Sequence, residues 1–181
     1  MALFTSNYLR NKYSATLIAE QKRQFSSIDK SKLKFDIFLS HSYLDKEEVL
    51  GLYRELTEMG FSVYVDWIID ADLDRTNVTK ATAEIIKSRM KNSKSLLLAI
   101  STNASMSKWM PWELGFVDGN TDRCVIVPIS KDNNLSFNRV EYLKLYPYLD
   151  ITNGNLWVNE DAKSYISFRR WINGENPTKR N

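Results

Sequence analysis

From Phe35 onward, short apolar runs alternate with amphipathic stretches of helical spacing. Phe35-Asp-Ile-Phe-Leu-Ser40 is rich in aromatic and branched side chains and predicts a first strand, with turn chemistry at Ser42 to Asp45. Asp45 followed by Glu48 suits a helix start. Val49, Leu52, Tyr53 and Leu56 make an i, i+3, i+4, i+7 stripe, and Gly60 supplies the stop. Phe61 to Asp66 predicts a second strand. Trp67 to Asn77 is too polar for a buried strand and reads as a loop opening a helix that runs through Met90, with Val78, Ile85, Ile86 and Met90 inward. Ser95 to Ser101 lacks alternation in its Leu96 to Ile100 run, as a central parallel strand covered on both faces requires. Val125 to Ile129 repeats that character, Pro128 pointing to a strand end or an edge. Tyr146 to Ile151 reads as a last short strand, and Asp161 to Asn173 as a closing helix with Tyr165, Phe168, Trp171 and Ile172 inward. Strands alternating with helices imply an α/β fold with a parallel sheet.

The first 33 residues read differently. Leu9, Tyr13, Leu17, Ile18 and Phe25 give a helix with one apolar stripe, suited to docking on the domain or on another subunit. Ser26 to Lys34 reads as a polar linker. The division expected is a basic, partly helical N-terminal appendage over residues 1–33, a domain over 34–175 with its core at 34–130 and an extension at 131–175, and a tail at 176–181.

Composition narrows the function. The 181 residues are 43% hydrophobic and 12% aromatic, enough for a packed core. The net charge of +3 is uneven, because residues 1–34 hold seven Lys or Arg against Glu20 and Asp29. No aromatic-basic stripe runs through the body, so nucleic acid is not an expected ligand. No apolar run approaches a membrane span. A single cysteine, Cys124, precludes an internal disulfide and fits a reducing compartment, which makes a cytoplasmic location the expectation. With His41 the lone histidine, a His/Cys zinc site has no ligand set and a Ser-His-Asp triad would rest on one residue. Glycine-rich nucleotide loops are absent from the sequence. Asp66, Asp70, Asp72 and Asp74 lack the spacing of a calcium loop and read as a solvated acidic loop.

The segment Ser105 to Gly119 carries the most chemistry. Trp109 and Glu113 stand four residues apart after a predicted parallel strand, which on a helix puts indole and carboxylate on one face where open α/β sheets bind ligands. The residues alone leave two readings open: an active site, or aromatic packing by Trp109 and Trp112 with Glu113 as a favourable acid in a helix's first turn.

Three boxes in order break that tie. Asp36-Ile-Phe-Leu-Ser40 before a loop, Val63-Tyr-Val-Asp66 before a polar loop, and Ser101, Ser105, Trp109 and Glu113-Leu114 at four-residue intervals together resemble the Toll/interleukin receptor (TIR) domain over Lys34 to Ile129. Ser107-Lys-Trp-Met-Pro-Trp-Glu-Leu-Gly115 is closest to the stand-alone bacterial kind. The resemblance implies a flavodoxin-like fold with about five parallel strands and helices on both faces. It also implies cleavage of the nicotinamide–ribose bond of NAD+, as substrate and without a resident cofactor or metal. On that basis Glu113 is the expected catalytic carboxylate. Trp109, Ser40, His41, Ser42, Tyr43, Trp67 and Arg75 are the expected substrate-binding residues, and Trp67 to Arg75 forms a lid and assembly surface. His41 and Ser42 stand where plant and axonal relatives often carry Arg. A homo-oligomer formed through TIR–TIR contacts, and a separate effector protein that senses the nucleotide product in antiphage immunity, are the implied partners. The competing expectation is a scaffold without catalysis that signals by homotypic assembly. Of the smaller roles, Asp36 is expected to anchor loop amides, and His41 either to meet the ligand or to fill a loop.

Overall fold

The structure, a computed structural model, describes residues 4–73, 79–104, 107–131 and 141–179. Two short N-terminal helices come first, after strand β1 (Phe4–Thr5): α1 (Ser6–Lys12) and α2 (Ala15–Ser26). Then follow β2 (Phe35–Ser40), α3 (Lys46–Glu58), β3 (Val63–Tyr64), α4 (Asp66–Ile69), α5 (Lys80–Lys91), β4 (Ser93–Ile100), α6 (Met110–Thr121) and β5 (Cys124–Ser130). The chain finishes with β6 (Tyr148–Thr152), β7 (Asn155–Asn159), β8 (Ser164–Ser167), α7 (Phe168–Trp171) and β9 (Thr178–Lys179). The sheet order is β3-β2-β4-β5-β6-β7-β8-β9, with β1 on β5. Its first five strands are parallel, as expected, and helices flank them.

The apolar runs become the strands their composition predicts. Leu96, Leu97, Leu98 and Ala99 of β4 are all buried between β2 and β5. β5 is interior to the sheet rather than an edge, yet Pro128 costs no ladder bond on its outer side. β6 pairs with β5 at Ile126 and β1 at Ile129 and Ser130, so Pro128 falls between two partial neighbours. Gly60 ends α3 with φ of 84°, a conformation that costs glycine little.

Four expectations change. The closing helix over 161–173 shrinks to α7, because Ser164 to Phe168 alternates buried and half-buried positions, the period of a strand, and β8 pairs antiparallel with β7. Asp161 starts that strand by accepting backbone N–H groups from Lys163 and Ser164. The polar stretch after β3 begins with a helical turn, α4, whose Ile68 and Ile69 are buried. Asp66 and Asp70 are buried too, so the solvated acidic loop is not what forms there. Asp70 receives Arg89 bidentately, at 2.8 and 3.0 Å, plus the Tyr64 hydroxyl at 3.0 Å. Asp72 is exposed, and Asp74 lies outside the described residues. On α5, Ile86 and Met90 face inward but Ile85 is 41% exposed, its expected place taken by Thr82 and Arg89; Val78 lies outside the described residues.

The fourth change concerns the N-terminal segment, which is part of the packed fold rather than an appendage. The single apolar stripe is split at Tyr13, whose extended backbone (ψ 136°) ends α1, and Ser14 caps α2. Phe4 and Leu9 are fully buried, while Tyr13 points out. α1 crosses α3 so closely that a Cβ on Gly51 would stand 1.9 Å from the Leu9 carbonyl oxygen. Its basic residues meet the acidic face of α3: Arg10 binds Glu48 at 2.8 Å and Lys12 binds Glu55 at 2.8 Å. Among the described residues no helix is long and apolar enough to cross a membrane.

Candidate active site

Loops at the C-terminal ends of β2, β3 and β4 converge on one cleft, the position at which parallel sheets present ligand sites. The β2 loop is built by local polar bonds. Ser42 caps a single 3₁₀ turn over Tyr43–Asp45 by accepting from the Leu44 N–H. Asp45 precedes α3 but does not cap it. Its carboxylate instead crosses to the loop after β4, accepting from the Ser101 hydroxyl and, at 2.7 Å, from Asn103 Nδ2. That tie fixes two site loops against each other.

α6 begins with Met110-Pro111, the ring of Pro111 suiting a first turn whose N–H groups lack helical partners. Trp109 is the residue before the helix, and its carbonyl accepts the Glu113 N–H at 2.9 Å. The four-residue spacing therefore holds, but the two side chains differ in exposure. Trp109 is half-buried and lines the cleft, with Trp112 packed edge-on to it at 5.4 Å. Glu113 is 0% exposed, and its Oε2 accepts the Ser40 hydroxyl at 2.6 Å. Neither Glu113 nor Ser40 lines the cleft, although their near neighbours in sequence, His41, Ser42, Trp109 and Trp112, are part of its wall.

His41 joins the β2 loop to α4. Its Nε2 lies 2.6 Å from the Trp67 indole nitrogen and its Nδ1 2.9 Å from the Leu39 carbonyl oxygen. An indole N–H can only donate, so Nε2 is the acceptor and the ring hydrogen sits on Nδ1, donated to Leu39. Asp66 Oδ1 stands 3.7 Å from the same Nε2. His41 thus both lines the cleft and holds Trp67 upright, with Tyr43 edge-on to that indole at 6.3 Å.

The cleft measures about 1120 Å³. Of the expected binding residues, His41, Ser42, Tyr43, Trp67 and Trp109 line it, whereas Arg75 lies outside the described residues. Sequence reasoning missed its cations: Lys22, Lys46, Lys87 and Lys108 all face it, from four different segments of the chain. Lys108 sits inside the tryptophan box and was open to notice there; the others carry no local signal. Trp112, read as packing, also lines the cleft. Lys46 lies over the Trp67 ring at 5.3 Å, and Lys87 pairs with Glu84 at 3.2 Å. Aromatic faces, lysines and a carboxylate behind the wall together suit a ligand with flat rings, anionic groups and one cationic end. Among the described residues no cluster of three His, Cys, Asp or Glu is disposed to hold a metal. Cys124 is buried, and burial pushes its thiol up and out of the nucleophilic range.

The chain is similar to several known proteins. The family model described as "TIR domain" matches residues 37–167. The probable 3' cyclic ADP-D-ribose synthase ThsB' of Bacillus cereus (strain MSX-D12) is 42% identical over 193 residues, covering 95% of this chain and 98% of that protein. The NAD(+) hydrolase TirS of Staphylococcus aureus (strain MSSA476) is 31% identical over 104 residues, covering 55% of this chain and 35% of that one. Among solved structures, the TIR domain of the Toll-related receptor TRR-2 of Hydra magnipapillata matches with a TM-score of 0.44 and 20% identity, over 60% of this chain and 77% of that one.

Proposed function

The chain belongs to the TIR-domain family, and from that premise we propose that it is an enzyme that breaks the nicotinamide–ribose bond of NAD+ and closes the remaining ADP-ribose into a cyclic product. The observation that carries the reading is Glu113, fully buried at the first turn of α6 and held by the Ser40 hydroxyl, with its neighbours Trp109 and Trp112 lining an aromatic, lysine-bearing cleft. The near full-length likeness to a protein named as a probable 3' cyclic ADP-D-ribose synthase supports cyclisation over simple depletion of NAD+.

The chemistry needs few groups. As the C–N bond breaks, nicotinamide leaves with the bonding electron pair and positive charge grows on the ribose. A carboxylate aimed at that sugar stabilises the charge where it develops. Because nicotinamide departs from a cationic ring, no acid has to protonate it, and one carboxylate suffices where ordinary glycosidases use two. The Ser40 hydroxyl donates to one Glu113 oxygen and holds the carboxylate in place. Trp109 and Trp112 stack on the nicotinamide and exclude water. A nucleophile within the same molecule then attacks the ribose and loses a proton; if water attacks first, the product is linear ADP-ribose. Since Glu113 is covered in the structure, the ribose engages it by displacing wall side chains.

Ser40, His41, Ser42, Tyr43, Trp67 and Trp109 bind the substrate in this reading. The protein acts in the cytoplasm as a homo-oligomer built through TIR–TIR contacts, and its product signals to a separate effector protein in antiphage defence.

The test is nicotinamide release from NAD+ by concentrated protein beside Glu113→Gln, with products resolved by mass. Release should fall by about 10²–10³-fold in the variant, the magnitude typical of removing one electrostatic stabiliser. A cyclic product mass supports cyclisation, and a mass one water heavier indicates hydrolysis. No release by wild type, even in assembled form, would turn the reading to the non-catalytic scaffold.

A further inference from the structure

Lys22 lies outside the stretch matched by the TIR family, which begins at residue 37, yet it lines the cleft. Its place is set by a chain of packed contacts. β1 is paired with β5, Leu9 of α1 is fully buried, and α1 is seated on α3 at Gly51 with two ion pairs across the crossing. α2 continues from there and packs on α4, the short helix that carries Trp67. Gln21, one residue before Lys22, accepts the Tyr53 hydroxyl of α3 at 3.3 Å. Lys22 therefore reaches the cleft beside α4, on a helix packed against the fold.

Its charge has no competing use there. Lys87 is bound to Glu84 and Lys46 lies over an indole, whereas Lys22 and Lys108 form no ion pair among the described residues, and of these two only Lys22 comes from the N-terminal helices. A dinucleotide with a cationic nicotinamide and an anionic diphosphate is polar along its length. A lysine on the α4 wall repels one end and attracts the other. Of the carboxylates that suit the cationic end, Asp66 of α4 lines the cleft and Glu113 is buried against the Ser40 hydroxyl.

Resting on the reading of NAD+ as substrate, we infer that Lys22 binds the diphosphate of the dinucleotide and thereby directs its nicotinamide ribose toward Trp109 and Glu113. The N-terminal helices then supply a specificity residue to the site, and the family-matched segment alone is an incomplete binding surface.

The experiment measures steady-state NAD+ cleavage and, separately, calorimetric binding of ADP-ribose for wild type, Lys22→Ala and Lys22→Arg in the full chain. Lys22→Ala should raise KM and weaken ADP-ribose binding about tenfold, with kcat and melting temperature little changed, and Lys22→Arg should restore both to within about twofold, as loss and return of one charge-assisted contact would. Wild-type cleavage with unchanged KM and ADP-ribose affinity in Lys22→Ala would overturn the inference and leave the catalytic reading standing. Binding of ADP-ribose that depends on Lys22, without cleavage by wild type, would uphold the inference and overturn the catalytic reading. A fall in kcat and melting temperature together, not rescued by Arg, would mark Lys22 as structural and overturn the inference.

Discussion

The N-terminal segment, Phe4–Ser26, adds a two-residue parallel strand and two helices to the parallel sheet, while the C-terminal segment, Asn155–Lys179, adds three antiparallel strands and a four-residue helix. The first is held by a close helix crossing and by ion pairs to α3, and it ends against α4 at the cleft. The second is held by backbone ladders. Its α7 returns to the residues before β3, where Arg169 donates to the Met59 carbonyl at 3.0 Å and Phe168 packs on Phe61 at 5.1 Å. Those contacts lie at the N-terminal ends of the parallel strands, the end away from the cleft. Both flanks bury apolar surface, so burial does not tell them apart. Position relative to the strand ends does: material added where parallel strands finish can enter the site, and material added where they begin can only stabilise it.

Substitutions can break that contrast. The largest effect is expected at Trp171, which is 3% exposed, packs on Phe168 and lies under the Arg123 guanidinium. Trp171→Ala should cost about 3–5 kcal/mol in denaturant unfolding, yet leave KM for NAD+ unchanged in the folded fraction. A raised KM would mean that the C-terminal flank shapes the cleft after all. Next comes Gly51→Ala, whose new methyl meets the Leu9 backbone. A loss of about 1–3 kcal/mol is expected from forced separation of α1 and α3, and here KM should rise as well, because Lys22 moves with the N-terminal helices. Destabilisation with KM unmoved would make the two flanks equivalent.

The smallest effect belongs to neither flank. At the start of β2, Asp36 accepts from Ser62 N and Oγ, both at 3.0 Å, and binds Lys94 at 2.7 Å. Burial pushes its carboxyl up, but Lys94 and Ser62 outweigh that and hold it below the ordinary value. A folded-state value below the unfolded one means that the unfolded chain binds the proton more readily. The contribution is thus present above the ordinary carboxylate range and is lost as pH falls through the lowered value. Lys94 is more than half exposed, so solvent screens the pair, and Asp36→Asn should cost less than about 1 kcal/mol at neutral pH. The difference from wild type should vanish in strong acid; a difference that persists there would assign the effect to packing.

Much of the parallel half was legible because its signals are local. Leu96 to Ile100 is apolar without alternation, and such a run is stable only between two other strands. Val49, Leu52, Tyr53 and Leu56 repeat at helical spacing and all face the core. Asp36 binds the Ser62 backbone N–H, as an anchoring role required. The antiparallel flank is not legible in the same way, because Tyr165, Phe168, Trp171 and Ile172 also fit a helical stripe; pairing with β7 selects the strand for Ser164 to Ser167. The burial of Asp70 carries no local signal, because its partner, Arg89, is 19 residues away on another helix.

By itself the sequence determined the alternation of strands and helices, the family to which the three boxes belong, and the place of Glu113 near the start of a helix. Each is encoded in the spacing of neighbours along the chain, which local backbone geometry reads directly. Tertiary structure alone decided that Glu113 meets Ser40 from 73 residues away, that His41 holds Trp67, and that lysines from four segments face one cleft. Those contacts depend on how strands order themselves in the sheet and how helices cross above it, through packing that no short window of sequence contains.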